Sequence, residues 1–208
     1  MNDNTLVVVH GYSGDADRVR LLMPWYLHHG RPVLVLSPED APIKNLGMVG
    51  NIQYHDVGHK AYIGHLSLNR QYEHLKFMLK QPFDFFLAND SDSFCALAEI
   101  PHYLYAEPNT IWSNEVTEPR PHTSLLPKIA MQPPYFFHRS VLVKLINAAP
   151  GIVMHPITPY VDHWMLQVSH KGGVDHKCFL KGPNDENIMP HPVKTIEQIE
   201  VLTHKRIP

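Results

Sequence analysis

Apolar positions in this chain come in two patterns, short unbroken runs and longer stretches at helical spacing, and their alternation predicts an α/β protein. Leu6 to Val9 is a continuous apolar run closed by Gly11 and Gly14, which reads as a buried strand ending near His10. From Asp17 to His29 the apolar residues Val19, Leu22, Met23, Tyr26 and Leu27 recur at helical spacing, and Gly30 stands where a helix C-cap belongs. Val33 to Leu36 is a second buried strand that ends in Ser37-Pro38-Glu39-Asp40. Strand, helix and strand with short turns open a parallel sheet.

Ile43 to Lys60 is glycine-rich and admits a third short strand around Ile52 to Tyr54. Ala61 to Leu79 carries an amphipathic pattern through Leu66, Leu68, Tyr72, Leu75, Met78 and Leu79, predicting a helix that runs into Gln81-Pro82. Phe83 to Ala88 then reads as a central strand whose exit is Asn89-Asp90-Ser91-Asp92. Beyond it, Pro101, Pro108, Pro119, Pro121, Pro127, Pro133 and Pro134 interrupt most candidate elements, so loops and short strands are expected there. Two helices still stand out, Ser140 to Ala148 and Tyr160 to Lys171, the second terminated by Gly172-Gly173.

A length of 208 residues with 44% hydrophobic content is enough for one core, so a single domain spanning 1–208 is expected. A formal net charge of -2 offers no basic field to hold a phosphate backbone, which argues against nucleic acid as a partner. The two cysteines, Cys95 and Cys178, form no CxxC pair, so neither a disulfide framework nor a zinc ribbon is indicated and a reducing, cytoplasmic setting is expected. The first apolar stretch is too short for a signal sequence or a membrane span. Neither G-x-x-x-x-G-K-[ST] nor G-x-G-x-x-G occurs, which removes the common glycine-loop nucleotide folds.

Asp90 and Asp92 carry the chemistry. Two residues apart on extended backbone, they direct both carboxylates to one side, at the end of a strand where ligands of open α/β sheets gather. Carboxylate oxygens in open coordination suit Mn²⁺ or Mg²⁺, with substrate phosphates and water in the remaining positions. A second copy of the pattern, Asp15-Ala16-Asp17, opens a helix, where carboxylates complement the helix N-terminus instead. A solvated or capped turn is the bland alternative for Asp90 and Asp92.

An ordered series of motifs then resembles the GT-A glycosyltransferases over nearly the whole chain. Val7-Val8-Val9-His10-Gly11-Tyr12-Ser13 is similar to the family's opening strand and base-binding loop, and Val33 to Asp40 to its second strand with an acidic end. Gly64-His65-Leu66-Ser67-Leu68-Asn69-Arg70 resembles the helix ahead of the family's DxD strand, and Asp90-Ser91-Asp92 follows in place. Pro134-Tyr135-Phe136-Phe137-His138-Arg139-Ser140 resembles an aromatic segment ending in arginine and a small residue. Tyr160-Val161-Asp162-His163-Trp164-Met165-Leu166 resembles the acidic helix of members that invert the anomeric centre. In length and run of motifs the chain is most like the small GT-A domain of chlorella-virus glycosyltransferases.

That resemblance implies a metal-dependent transferase, residing in the cytoplasm of a host cell if viral, that moves a sugar from a nucleotide-diphosphate donor, a UDP-sugar by family habit, to a glycan or other hydroxyl acceptor. Residues 1–100 would bind the nucleotide-sugar and 101–208 the acceptor. Asp162 would be the general base, with a helix N-cap as its plain alternative. Asp90, Asp92 and His191 would hold Mn²⁺ or Mg²⁺, with His170 and His176 competing for the histidine's role. Tyr12 would stack on the base, Ser13 would reach ribose or phosphate, Glu39 or Asp40 would accept the uracil N3 proton, and Arg70 would contact pyrophosphate or base. Packing, solvated-turn and exposed-charge roles remain open for Tyr12, Glu39 and Arg70.

The sequence departs from the family where a glutamate before Asp162 is Val161 and where glycines before the aromatic segment are Gln132-Pro133-Pro134. The chain is short for the family, so a module of a longer transferase is one expected arrangement. The opening Val8-Val9-His10-Gly11 also resembles an α/β-hydrolase, but no segment carries the required G-x-S-x-G. A non-catalytic domain that binds nucleotide-sugar or glycan is a further alternative.

Overall fold

The computed structural model describes residues 4–10, 19, 22, 26, 29–37, 52–56, 65–91, 93, 95, 100–115, 131–150, 152, 161–179 and 197–198, with the backbone alone at 37, 52–56, 65–70, 115 and 163. Among the described residues seven strands form one sheet: β1 (Thr5–His10), β2 (Val33–Ser37), β3 (Ile52–Asp56), β4 (Phe85–Asp90), β5 (Thr110–Glu115), β6 (Met131–His138) and β7 (Asp175–Cys178). Their order is β3-β2-β1-β4-β6-β5-β7. Only β6 runs against the others, antiparallel to both β4 and β5. Three α-helices with described bounds are α1 (His65–Leu79), α2 (Arg139–Ala148) and α3 (Val161–Lys171). The expected mixed α/β architecture with a mostly parallel sheet is therefore observed.

Both faces of the sheet are covered, which is why the central strands carry unbroken apolar runs, Leu6 to Val9 and Phe85 to Ala88, instead of alternating. Leu6, Val8, Phe86, Ala88, Ile111, Tyr135 and Phe137 form one buried face beneath α1, α2 and α3. Val7, Val9, Leu87, Trp112 and Phe136 form the other, packed against Val19, Leu22 and Tyr26 and against Ile100 and Leu104. Val19, Leu22 and Tyr26 are helical and buried, in keeping with the helical spacing of that stretch. Its end is also as expected, because Gly30 has φ +65° and Arg31 N–H donates to the Tyr26 carbonyl at 3.0 Å.

The third strand extends through Asp56, and α1 is helical from His65 to Leu79, the expected start at Ala61 lying outside the described residues. The central strand starts later than its apolar run suggests, at Phe85, and carries on through Asp90, so that Asn89 and Asp90 are its last residues and not its exit. Two of the prolines do less damage than expected. Pro133 and Pro134 lie inside the eight-residue β6, at a register irregularity between the pairs Asn114↔Gln132 and Trp112↔Phe136. A missing N–H is tolerated at such a break because no regular ladder bond is required there, and Asn114 Nδ2 donates to the Pro133 carbonyl at 2.9 Å.

Two turns fix the helices to the sheet. Arg139 sends its guanidinium to the carbonyls of Leu79, Gln81 and Phe83, and its own N–H donates to the Asp84 carbonyl at 2.6 Å. It thus ties the end of α1 and the turn into β4 to the start of α2. At the end of α3, Gly173 has φ +62°, with Val174 N–H on the Ser169 carbonyl and Gly173 N–H on that of His170, the paired bonds of a Schellman cap. No helix among the described residues is long and apolar enough to cross a membrane.

Candidate functional site

The strand order reverses between β1 and β4: β2 and β3 follow β1 to one side, and the rest of the sheet lies on the other. Open α/β sheets bind ligands outside the carboxyl ends of the strands at such a reversal. The last registered pair across it is His10↔Asp90. Both side chains belong to the face covered by the helices, since His10 follows Leu6 and Val8, and Asp90 follows Phe86 and Ala88, at strand period. Asp90 is partly buried, and its carbonyl accepts the Ser93 N–H at 3.0 Å, which turns the chain after the strand.

α1 runs into β4 by a tight turn at the amino edge, so its N-terminal half lies over the carboxyl edge. Just past the middle of α1, His74, fully buried, meets His10, the last residue of β1, with Nδ1 to Nδ1 at 2.6 Å and ring centroids at 4.7 Å. One ring must donate and the other accept, so the contact requires opposite tautomers at the two Nδ1 atoms. Arg70 lies one turn earlier on α1, nearer the carboxyl edge.

The ladder between β4 and β6 stops at Ala88↔Tyr135. The Tyr135 hydroxyl donates toward Asp162 Oδ1 at 3.2 Å and toward the Met131 carbonyl at 2.8 Å. Asp162 is in the first turn of α3, one residue inside a helix that starts at Val161. It therefore does not occupy the N-cap, and its carboxylate complements the positive helix end from within the first turn. Asp90 stands two residues beyond Ala88, and Asp162 is held by the residue opposite Ala88, so both acids share one rim and one face.

The competing histidines are elsewhere. His170 is exposed in the last turn of α3, at the opposite edge. His176 aligns through Ile111 and Phe137 with Phe86, four residues and about 13 Å along the strand from Asp90. It bonds Ser113 Oγ through Nε2 at 2.7 Å, and its pKa is held below the ordinary imidazole value by burial, with His170 nearby adding to the effect. Tyr12, Ser13, Glu39, Asp40, Asp92 and His191 lie outside the described residues. Among the described residues no group of three His, Cys, Asp or Glu side chains converges as a metal site.

On the opposite face, behind Asp90, is a buried polar cluster. Asn89 Nδ2 donates to the Tyr26 hydroxyl at 3.5 Å, and Cys95 N–H donates to the same oxygen at 3.4 Å. Arg31 Nη1 approaches Cys95 Sγ at 3.6 Å. Burial, with Cys95 adding to it, pushes the Tyr26 phenol well above its ordinary pKa and keeps it protonated. In the sequence Tyr26 stands only as part of an apolar stripe, and His74 lies outside the apolar pattern that predicts α1. For His74 a signal existed, because Gln71, His74, Leu75 and Met78 sit at i, i+3, i+4 and i+7 and all are buried.

No protein-family model matches the chain, and no curated protein sequence matches it. Among solved structures it is similar to the nucleoside-diphosphate-sugar pyrophosphorylase from Vibrio cholerae RC9, at 8% identity and a TM-score of 0.51, over 95% of this chain and 99% of that one. At that identity the likeness shows a fold and no more: a Rossmann-like α/β arrangement shared along nearly the full length of both chains.

Proposed function

We propose that the protein is a metal-dependent glycosyltransferase of the GT-A type, taking a nucleotide-diphosphate sugar, a UDP-sugar by preference, to an acceptor hydroxyl with inversion. The observation that carries the reading is Asp90 at the switch point of the sheet with Asp162 on the same rim and face. The fold shared with a protein named for nucleoside-diphosphate sugars agrees with it.

In this reading Asp162 takes the acceptor proton as the hydroxyl attacks the anomeric carbon from the side opposite the departing diphosphate. Tyr135 holds that carboxylate toward the rim. The half-buried Asp90 carboxylate at a strand end is a hard oxygen donor of the type Mn²⁺ or Mg²⁺ takes, and Asp92 and His191 are the proposed further ligands. A divalent cation there supplies charge neutralisation for the leaving diphosphate. Arg70, one turn above His74, is the proposed phosphate contact, with Tyr12, Ser13 and Glu39 the proposed nucleoside contacts.

A second reading, nucleotidyl transfer between a nucleoside triphosphate and a sugar phosphate, draws on the name of the structural neighbour. It needs no base at Asp162, because a sugar phosphate attacks as an oxyanion. Titration calorimetry of UDP, GDP and UDP-sugars with and without Mn²⁺, on wild type and an Asp90→Ala/Asp92→Ala variant, tests the donor site. Metal-dependent UDP binding lost in the variant supports it; a folded wild type that binds no nucleotide under any metal condition overturns it. Release of UDP, as opposed to pyrophosphate exchange, then separates transfer of the sugar from transfer of the nucleotide.

A further inference from the structure

We propose that Tyr26 is a positioning residue for Asp90 at the end of β4, holding Asn89 and Cys95 from the far face of the sheet; the functional consequence rests on the donor-site reading above. One phenolic oxygen receives both Asn89 Nδ2 and Cys95 N–H. Those residues bracket the segment that carries Asp90. Within the bracket Ser93 N–H closes onto the Asp90 carbonyl, and Ser91 and Ser93 are buried at 3% and 0% exposure.

Pleat geometry makes this clamp consequential. Successive residues of a strand face opposite ways, so an Asn89 side chain tied to Tyr26 on one face obliges Asp90 to face the other, toward the rim it shares with Asp162. A slip of one residue would exchange the two. Tyr26 is the sole side-chain hydrogen-bond partner of Asn89 among the described residues, and Asn89 is 0% exposed. Removing the phenol therefore leaves a buried amide without its side-chain partner, and the aim of Asp90 then rests on the ladder to β1 alone.

Tyr26→Phe keeps the ring and removes the hydroxyl. Hydrogen exchange at the Cys95 amide should rise roughly two- to tenfold, the worth of one hydrogen bond, while the amides of Leu142 and Leu145 in α2 keep their rates. The Mn²⁺ concentration that half-saturates UDP binding should rise several-fold in the same protein, with saturated UDP affinity little changed. Unchanged exchange at Cys95, or equal acceleration in α2, overturns the clamp. Faster exchange at Cys95 with unaltered Mn²⁺ dependence overturns the positioning role. A wild type that binds no UDP overturns the donor reading and the positioning role with it, and the exchange comparison still decides the clamp. Should Tyr26→Phe fail to fold, Asn89→Ala serves: a raised Mn²⁺ requirement with Cys95 exchange unchanged is the supporting result, and an unaltered requirement overturns the positioning role.

Discussion

The Tyr135 hydroxyl has one proton and two acceptors, the Met131 carbonyl at 2.8 Å and Asp162 Oδ1 at 3.2 Å. Its ring is buried in the sheet face, so the oxygen is fixed while the carboxylate at the head of α3 remains partly accessible. Asp162→Asn should cost transfer on the order of 10²–10⁴-fold, the worth of a general base, and leave metal-dependent UDP binding intact, as read by calorimetry beside a UDP-release assay. Tyr135→Phe should lower stability by about 1 kcal/mol and, in the proposed mechanism, reduce kcat with little effect on donor KM, because it would loosen the proposed base and not the donor. An Asp162→Asn protein as active as wild type would remove the base from the mechanism and leave Asp162 as a helix-end charge.

The elements depend on the turns that deliver them. Arg139 meets carbonyls of Leu79, Gln81 and Phe83 at the point where α1 passes into β4, and these are acceptors that the helix itself no longer satisfies. Arg139→Met keeps much of the stem but removes these charged donors, so urea unfolding should show a loss on the order of 2–3 kcal/mol; Arg139→Lys should recover only part, for want of the planar fork. Gly173→Ala should cost about 1 kcal/mol, all of it backbone, since a Cβ built there meets nothing within 4 Å. Both turns explain what was legible. The Gly172-Gly173 stop and the Gly30 cap were readable because only glycine enters a left-handed cap cheaply, and the apolar runs of β1, β2 and β4 were readable because a sheet covered on both faces favours apolar side chains in the middle of its strands. The Pro133-Pro134 strand was not, because its tolerance comes from a register break made by β5, far away in sequence. Asp90 could be placed at a strand end from local pattern alone. Its pairing with His10, the Tyr135 contact of Asp162 and the Tyr26 contact of Asn89 arise from strand order and layer packing, which no local window contains.

At the scale of the molecule the two edges of the sheet have separate duties, and this makes a stability experiment separable from an activity experiment. The amino edge carries the Arg139 tie and the cap of α3; the carboxyl edge carries Asp90 and Asp162. His176 lies between, on the row of Phe86, bonded to Ser113 and partly buried beside the α3 face. Its pKa in the folded chain is lowered, chiefly by burial, from the ordinary 6.5. Between the folded value and 6.5 the unfolded chain therefore binds more protons than the folded one, so stability rises with pH across that window. The contribution is fully present above about 6.5 and is lost progressively as the pH falls toward the folded value. Thermal unfolding followed from pH 7.5 downward should show that loss in wild type, and His176→Gln, which keeps a partner for Ser113 without a titrating ring, should show a smaller slope than wild type over the same interval. Subtracting the two curves cancels the other histidines. If the slopes coincide, His176 stays as solvated as in the unfolded chain. Because His176 is about 13 Å along the strand direction from Asp90, the same variant should leave metal-dependent nucleotide binding unchanged at pH 7.5, where wild-type His176 is neutral, and a loss of binding there would instead place the β7 edge within the site.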